Sequence, residues 1–312
     1  MKAVTIHQYG SADELIYEDA PQPELKPNDV LIKVYATSIN PIDWKVRGGK
    51  YPGADQRPFP LILGWDVSGV IEKLGTAVTH YKIGDEVYGR PDTKRQGTYA
   101  AYVAVNEGEI SAKPKSLDHT HAAAVPLAGL TAWQGLFDHG KLEAGQTILI
   151  HAAAGGVGTY AVQLAKWKGA YVIGTASESN TAFLMELGVD EVIDYKKEDF
   201  SKKVKDIDVV FDLIGGDVQT KSLEVLKPGG ILVSTVGIKD EEAVKAKGMI
   251  GVKYMAASTP ENLKQLADLI DAGKLKPVIA EVLPLAQAKE AHQKSEAGHT
   301  KGKIVLQVVN DK

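Results

Sequence analysis

The sequence predicts an α/β chain in two domains, one small and β-rich, the other a doubly wound parallel sheet. Three observations carry this. At 312 residues and 44% hydrophobic, the chain exceeds the usual length of a single domain. From Val30 to Val105 the readable elements are short, β-rich and punctuated by Gly, Pro and Asp. From Thr147 to Ala256 buried-looking apolar runs alternate with helical stretches, as in parallel strands joined by helices.

In chain order, "DVLIKVYATSIN", "DVSGVIEKLG", "GDEVYG" and "GTYAAYVAV" read as strands of a small barrel or sandwich. Around Pro114 to Gly145 the spacing becomes helical, which sets a boundary near residue 120. The runs "TILIHA", "AYVIGTA", "EVI", "VVFDLI", "ILVSTVG" and "IGVKYMA" follow as strands, with helices at Val157–Lys168, Asn180–Leu187, near Asp199–Lys205 and at Val218–Leu226. After Ala257, Thr259 and Pro260 supply an N-cap and a first helical position, and Gly273 supplies the stop. A second helix, "LAQAKEAHQKSEAG", precedes a last strand, "GKIVLQVV". The resulting domains are 1–120, 121–256 and a C-terminal piece, 257–312.

Composition narrows the function. A net charge of -4 gives no general electrostatic grip on nucleic acid or anionic lipid. No apolar run approaches the roughly 18 residues of a membrane span, and "MKAVTIHQYG" has no apolar leader core, so a cytoplasmic location is expected. The chain has no cysteine, which removes disulfides and thiolate-bound metals. The eight histidines are scattered without a ligand spacing, and His119 with His121 suggests capping or surface roles at a helix entrance. The expected partner is a small molecule.

The stretch "HAAAGGVGTYAVQLAKWKGAYVIGTAS" carries the sharpest signal. It aligns with a dinucleotide fingerprint as Ala153-x-Gly155-x-x-Gly158, follows an apolar strand and opens a helix whose dipole favours phosphate. Gly155, Gly156 and Val157 are the expected phosphate contacts. At the end of the second strand, Ser177 stands where an NAD site carries an acid. A hydroxyl donates to a 2′-phosphate that a carboxylate would repel. Ser177, Asn180 and Tyr195 with Lys196 therefore point to NADPH, although Glu178 next door cuts the other way.

Taken together, "INPIDWKVRGGKYP", "LGWDVSGVIEKLG", "GDEVYG", "PLAGLTAWQGL", "AAAGGVG", "DEVIDY", "VLKPGG" and "KGKIVL" make the chain resemble the medium-chain dehydrogenase/reductase superfamily. Within it, the chain is similar to the zinc-independent, zeta-crystallin-like branch of quinone oxidoreductases and enone reductases. The resemblance covers nearly the whole chain. It implies that the N-terminal segment and the C-terminal tail form one GroES-like catalytic domain, with a Rossmann domain between them and the active site in the cleft. Zinc-dependent members hold their catalytic metal at positions that correspond here to Asn40, Trp65 and Leu127, none a good ligand. Without that Lewis acid, hydride transfer to an electrophilic quinone or α,β-unsaturated carbonyl remains.

The same resemblance implies that Asn40 and Tyr51 hydrogen-bond the acceptor carbonyl. It suggests Trp65 for stacking on a flat substrate or for packing, and Asp43 for holding its loop. Thr131, Gly215, Val236, Gly237 and Lys303 are implied as cofactor contacts, Lys303 being open to a solvated reading. Lys45 and Asn180 depart from the family's usual tyrosine and lysine. The apolar "MIGVKYMAAS" implies edge-to-edge pairing in a homodimer. Two other readings stand beside the reductase: a zinc-free carbonyl reductase, and an NADPH-binding sensor or structural protein with little turnover.

Overall fold

The structure is a computed structural model that describes residues 1–52 and 57–309. The N-terminal part carries β1 (Lys2–Ile6), β2 (Ile16–Asp19), β3 (Asp29–Ser38), α1 (Pro41–Arg47), β4 (Leu61–Ile62), β5 (Val67–Leu74), β6 (Glu86–Gly89), β7 (Tyr102–Asn106) and β8 (Ile110–Ala112). Next come α2 (His119–Ala123), α3 (Pro126–Trp133), a π-helical turn at Gln134–His139, β9 (Thr147–Ile150), α4 (Gly156–Lys168), β10 (Tyr171–Ala176), α5 (Thr181–Leu187) and β11 (Glu191–Asp194). The remainder is β12 (Ile207–Asp212), α6 (Gly216–Val225), β13 (Leu226–Ser234), α7 (Glu241–Ala246), β14 (Ile250–Lys253), α8 (Pro260–Asp271), β15 (Ile279–Pro284), α9 (Ala288–Glu296) and β16 (Lys303–Gln307).

Two compact units result, so the α/β class read from the sequence holds. The first comprises Met1–Ala128, Ser258–Gly273 and Pro277–Lys312; the second comprises Gly129–Ala257 and Lys274–Lys276. The first boundary lies eight residues beyond the one read from composition (128 against 120), because α2 belongs to the β-rich unit. Its Ala123, with Ala124, packs with Ala36 of β3 and Val305 of β16 in one buried cluster. A change from strand to helix texture marks an element, and only packing marks a domain.

In the first unit a seven-stranded sheet runs β15-β16-β3-β5-β6-β8, with β7 also paired to β3, and a three-stranded sheet runs β2-β1-β4. β3 carries the alternate apolar residues Val30, Ile32 and Val34 into a core shared with Val67, Ile71, Val87 and Val103. The strands β1, β2, β4, β8 and β15 fall outside the sequence reading. β15 is IAEVLP, whose mixed polar pattern suits an edge strand and gives little apolar signal.

The second unit holds six parallel strands in the order β11-β10-β9-β12-β13-β14, with the chain crossing back at β9. That order is the doubly wound arrangement, in which ligands bind beyond the carboxyl ends of the strands at the reversal point. β9 and β12 are buried through Ile148, Leu149, Ile150, Val210 and Phe211, as a strand covered on both faces must be. β14 forms one edge of this sheet and β11 the other, and Ile250 of β14 is half exposed.

Candidate functional site

Within the second unit, the turn between β9 and α4 sits at the strand reversal. Ala153 donates its N–H to Thr175 O (3.1 Å), prolonging the pairing with β10, and Gly155 donates to Ala152 O (3.0 Å) to close the turn. The residue in the left-handed region is Ala152, at φ 53°, so the strained position is one residue earlier than the alanine aligned with the missing glycine. At Gly158 a Cβ would lie 2.3 Å from Ala152 O, which explains why only glycine lets α4 pack against the turn. Gly155 is the N-cap of α4 and no side chain caps that end. The first-turn N–H groups, including those of Gly156 and Val157, are thereby left for an anion. This cradle fits a dinucleotide pyrophosphate.

At the end of β10, Ser177 Oγ accepts from Asn180 Nδ2 (3.1 Å) and lies 3.1 Å from Ser179 Oγ. Tyr195 donates its N–H to Ala176 O (3.2 Å) and is 55% exposed, with Lys196 Nζ 6.0 Å from its ring centre. Glu178, which spoke against a 2′-phosphate, is paired with Lys197 at 2.6 Å. The structure therefore gathers Ser177, Asn180 and Tyr195 with a basic neighbour at one strand end.

Further along the same edge, Gly215 at φ 79° begins α6, and a Cβ there would meet Val236 Cγ2 at 2.9 Å. Buried Asp212 organises this region. Its carboxylate accepts from the N–H of Ile214 (3.0 Å) and Gly215 (2.8 Å), from Gln219 Nε2 (2.9 Å) and from Ser234 Oγ (2.8 Å). Gln219 also donates to Gly237 O (2.8 Å), so one acid positions Gly215, Val236 and Gly237 together. Thr131 is 7% exposed and its carbonyl accepts from Tyr254 OH at 2.5 Å. The sequence reading missed Asp212, Gln219 and Ser234; the signal was an aspartate ending the apolar run "VVFD".

The first unit assembles a second set. Asp66, fully buried, accepts from Ser38 Oγ (2.5 Å), Asn40 Nδ2 (2.7 Å) and the N–H of Leu127 (2.7 Å). Lys303, 3% exposed, lies 3.5 Å from Asp66 Oδ2 and donates to Ile39 O (2.9 Å) and to Asn40 Oδ1. Burial pushes its ammonium pKa down while Asp66 and Asp43 hold it up.

These contacts correct two expectations, for Lys303 and Asn40, and favour one of the two readings of Trp65. Lys303 does not project as a solvated or cofactor-reaching side chain, because its ammonium is engaged inside this unit. The Asn40 amide is engaged at both ends, by Lys303 and Asp66, so it orders the loop rather than offering a donor outward. Trp65 is wholly buried, with the Arg57 guanidinium 5.4 Å from its ring centre, and serves packing rather than substrate stacking. Tyr51 is partly buried, and Arg57 lies 5.9 Å from its ring centre.

Asp43 Oδ2 accepts from the N–H of Asn40 (2.8 Å), forming the capping box of α1, and from Tyr99 OH (2.6 Å). Behind it, Tyr99 OH meets His292 Nε2 (3.2 Å), and His292 Nδ1 meets Arg47 Nη1 (2.9 Å). Arginine only donates, so His292 Nδ1 accepts and Nε2 carries the proton, which fixes the tautomer. Burial, against the Tyr99 and Asn40 hydrogen bonds, pushes the Asp43 carboxyl up to about 7. Burial and the Arg47 charge hold His292 down at about 3. His119 is buried and bonds Ser68 Oγ (2.8 Å) rather than lying at the surface, while His121 meets Asp118, the N-cap of α2.

A doubly wound sheet with a glycine-bounded, uncapped helix at its reversal point, joined to a β-rich unit, defines a dinucleotide-dependent oxidoreductase. Comparison with known proteins agrees. Residues 26–115 match the alcohol dehydrogenase GroES-like domain and residues 187–306 the zinc-binding dehydrogenase family. A mitochondrial NAD(P)H oxidoreductase, RTN4IP1 of Danio rerio, is 36% identical over 100% of this chain and 92% of its own. The chloroplastic NADPH-dependent alkenal/one oxidoreductase of Arabidopsis thaliana is 38% identical, covering 98% of this chain and 79% of its own. The structure of the quinone oxidoreductase from Coxiella burnetii superposes with a TM-score of 0.94 at 39% identity, covering 99% of each chain.

The chain belongs to the medium-chain dehydrogenase/reductase superfamily, in its quinone oxidoreductase and enone reductase branch. It is an NAD(P)H-dependent oxidoreductase of small molecules. The cytoplasmic expectation is corrected by the same relatives: four NAD(P)H oxidoreductases are named mitochondrial and a plant relative chloroplastic, which points away from the cytoplasm. The sequence argument there rested on a missing leader pattern, which is weak ground for a location.

Proposed function

We propose that this protein reduces quinones or α,β-unsaturated carbonyls with hydride from NADPH and without a metal. The observation that carries the reading is the Asn40–Asp66–Lys303 knot. Of the three positions aligned with zinc ligands, Asn40 has its amide engaged, Trp65 is buried and carries only an N–H donor, and Leu127 has no ligand atom. This donor set does not fit zinc. A saturated alcohol, which needs its hydroxyl activated, is a poor substrate for such a site, whereas an acceptor that is already electrophilic needs alignment and polarisation.

When bound, NADPH supplies the hydride. The chain's part is to hold it: the first-turn N–H groups of Gly156 and Val157, with Gly155 at the N-cap giving close backbone approach, for the pyrophosphate, and Ser177, Asn180 and Tyr195 for the 2′-phosphate. Gly215, Val236, Gly237 and Thr131 line the remainder. In the first unit Asn40, Asp43 and Lys303 fix the loop before α1, and Tyr51 is the remaining candidate to meet the acceptor carbonyl. The proposed assembly is a homodimer through the open edge of β14.

The test is an electrophile panel of quinones, enones and saturated aldehydes, followed by loss of nicotinamide absorbance before and after exhaustive chelation. Turnover of quinones or enones that survives chelation is expected. Turnover of saturated aldehydes at comparable kcat/KM, or activity lost on chelation and restored by zinc, overturns the reading. Sedimentation on the same sample should give about twice the chain mass of 33.5 kDa.

A further inference from the structure

Among its 36 basic residues the chain has four arginines, at positions 47, 57, 90 and 95, all in the first unit. Two have structural partners. Arg95 grips Asp29 through both guanidinium arms (2.9 and 2.5 Å), and Arg47 pairs with Glu296. The other two form no ion pair among the described residues. Arg57 lies between the rings of Tyr51 and Trp65, and its Nη1 is buried without a hydrogen-bond partner among the described residues. Arg90 is 7% exposed, and its Nε is buried in the same condition. A third buried donor without a partner, Trp65 Nε1, belongs to the ring on which Arg57 rests.

These donors converge. Val67 of β5 pairs with Gly89 of β6, so Arg90, the next residue, emerges beside Asp66 and hence beside Trp65. Arg90 and Arg57 both act electrostatically on Tyr51. The acids that face them do not satisfy them. Asp66 is fully engaged by Ser38, Asn40, Leu127 and Lys303. Asp92 accepts from the N–H of Lys94. Glu109 acts on Arg90 electrostatically but forms no ion pair with it among the described residues, its Oε2 being buried without a partner there. Tyr9 and Tyr51, the other neighbours, offer phenols rather than carboxylates, and burial pushes the Tyr51 pKa up. Burial pulls both guanidinium pKa values down, as expected of charges lacking a counter-ion. In a chain that otherwise uses lysine, a planar fork at these two places suits a planar anion.

We propose that Arg57, Arg90 and the Trp65 indole N–H form a carboxylate-binding site, and that the acceptor is an unsaturated keto acid or carboxylated quinone rather than a neutral electrophile. The assignment rests on the reductase reading for its reaction and on the orphaned donors for its anion. In the reaction the C=C bond of such an acid takes a hydride from NADPH at one carbon and a proton from water at the other, giving the saturated keto acid and NADP+. Paired with the carboxylate, the two guanidinium groups gain a counter-ion that no described residue supplies. The acid end is thereby anchored next to Tyr51.

The experiment uses 4-oxo-2-pentenoate and its neutral methyl ester as substrates, and the saturated product 4-oxopentanoate as a calorimetric ligand, with 2-pentanone and inorganic phosphate as controls. Wild type should bind 4-oxopentanoate and not 2-pentanone. In Arg90→Met the acid-to-ester ratio of kcat/KM should fall by about 100-fold and binding of the keto acid should be lost. Arg57→Leu, on the more exposed side, should move the ratio in the same direction by about tenfold and carries the test if Arg90→Met does not fold. A ratio unchanged in the folded variants, no binding of 4-oxopentanoate by wild type, or tighter binding of phosphate than of the keto acid overturns the proposal. If neither acid nor ester is reduced while keto acid binding still depends on these arginines, the carboxylate site stands and the reductase reading falls.

Discussion

In the first unit Asp66 and Lys303 meet across 237 residues of sequence, together with an asparagine amide, a hydroxyl and a backbone N–H, and all four side chains are buried. In the second unit Asp212 gathers partners no more than 22 residues away, and what it positions, Gly215 and Val236–Gly237, lies at an accessible strand end with Val236 half exposed. The first arrangement is closed and fixes a loop. The second is open and shapes a surface for a ligand. Their difference suggests that mutations in the first should act on folding, and mutations at the strand ends of the second on cofactor use.

The sharpest way to break that contrast lies in the knot. Asp66→Ala leaves the Lys303 ammonium buried beside an unpaired amide and should cost about 3 to 5 kcal/mol in chemical denaturation. Lys303→Met should cost less, since Ser38, Asn40 and Leu127 still donate to Asp66. Asp66→Asn combined with Lys303→Met should recover part of the loss, because neither charge is then stranded. Equal and additive losses would mean that the pair is not coupled.

The second unit is tested at its open end. Ser177→Asp sets a carboxylate where the 2′-phosphate is proposed to lie, and should lower kcat/KM for NADPH by about 2 to 4 kcal/mol in free-energy terms while leaving NADH little changed. Fixed ionic strength is needed, as phosphate contacts are screened by salt. A substitution that weakens both cofactors equally places Ser177 elsewhere.

A smaller effect distinguishes the groups behind Asp43. Native Asp43 keeps its proton to about pH 7, whereas an unfolded aspartate loses it near ~4, so between these values the native state binds more protons and stability falls as pH rises. His292 runs the other way. It stays neutral in the native state down to about pH 3, an unfolded histidine protonates below ~6.5, and stability rises with pH between them. His151, held down at about 4 by burial, adds to the rise. From pH 4 to 6.5 the Asp43 and His292 contributions oppose one another. Relative to wild type, Asp43→Asn should make stability climb more steeply over that range and His292→Gln should flatten it, read as urea midpoints against pH.

The smallest effect concerns Ala152. Ala152→Gly relieves a left-handed alanine but loosens the unfolded chain, leaving a net gain of about 0.5 kcal/mol. A loss would show that the turn needs its methyl group.

How much was legible in the sequence follows the same division. The turn at Ala152–Gly158, the Thr259–Pro260 start of α8 and the strands of the parallel sheet are local signals, and each can be read where it stands. The cluster of Ser177, Asn180 and Tyr195 was legible because the ends of neighbouring parallel strands lie side by side. The knot was not, since Asp66 reads as one acid in an apolar stretch and Lys303 as an ordinary surface lysine until β16 is laid beside β3. The same holds for the boundary near residue 128, where alanines of α2 give no sign of the sheet they pack against. Arg57 and Arg90 were equally silent, because an arginine's lack of a partner is a property of the fold alone.

The placement of β16 between β15 and β3 also orders events in time. During synthesis every residue of the second unit is made before Lys303, so the parallel sheet has its complete sequence while β3 still lacks one neighbour. Through that interval Asp66 and Asn40 have no ammonium to meet, and the Ala36–Ser38 end of β3, beyond its pairing with β7, stands open to stray pairing. The arrival of five residues, Lys303 to Gln307, covers that end and delivers the charge in the same step, so the nascent chain remains vulnerable until they are made.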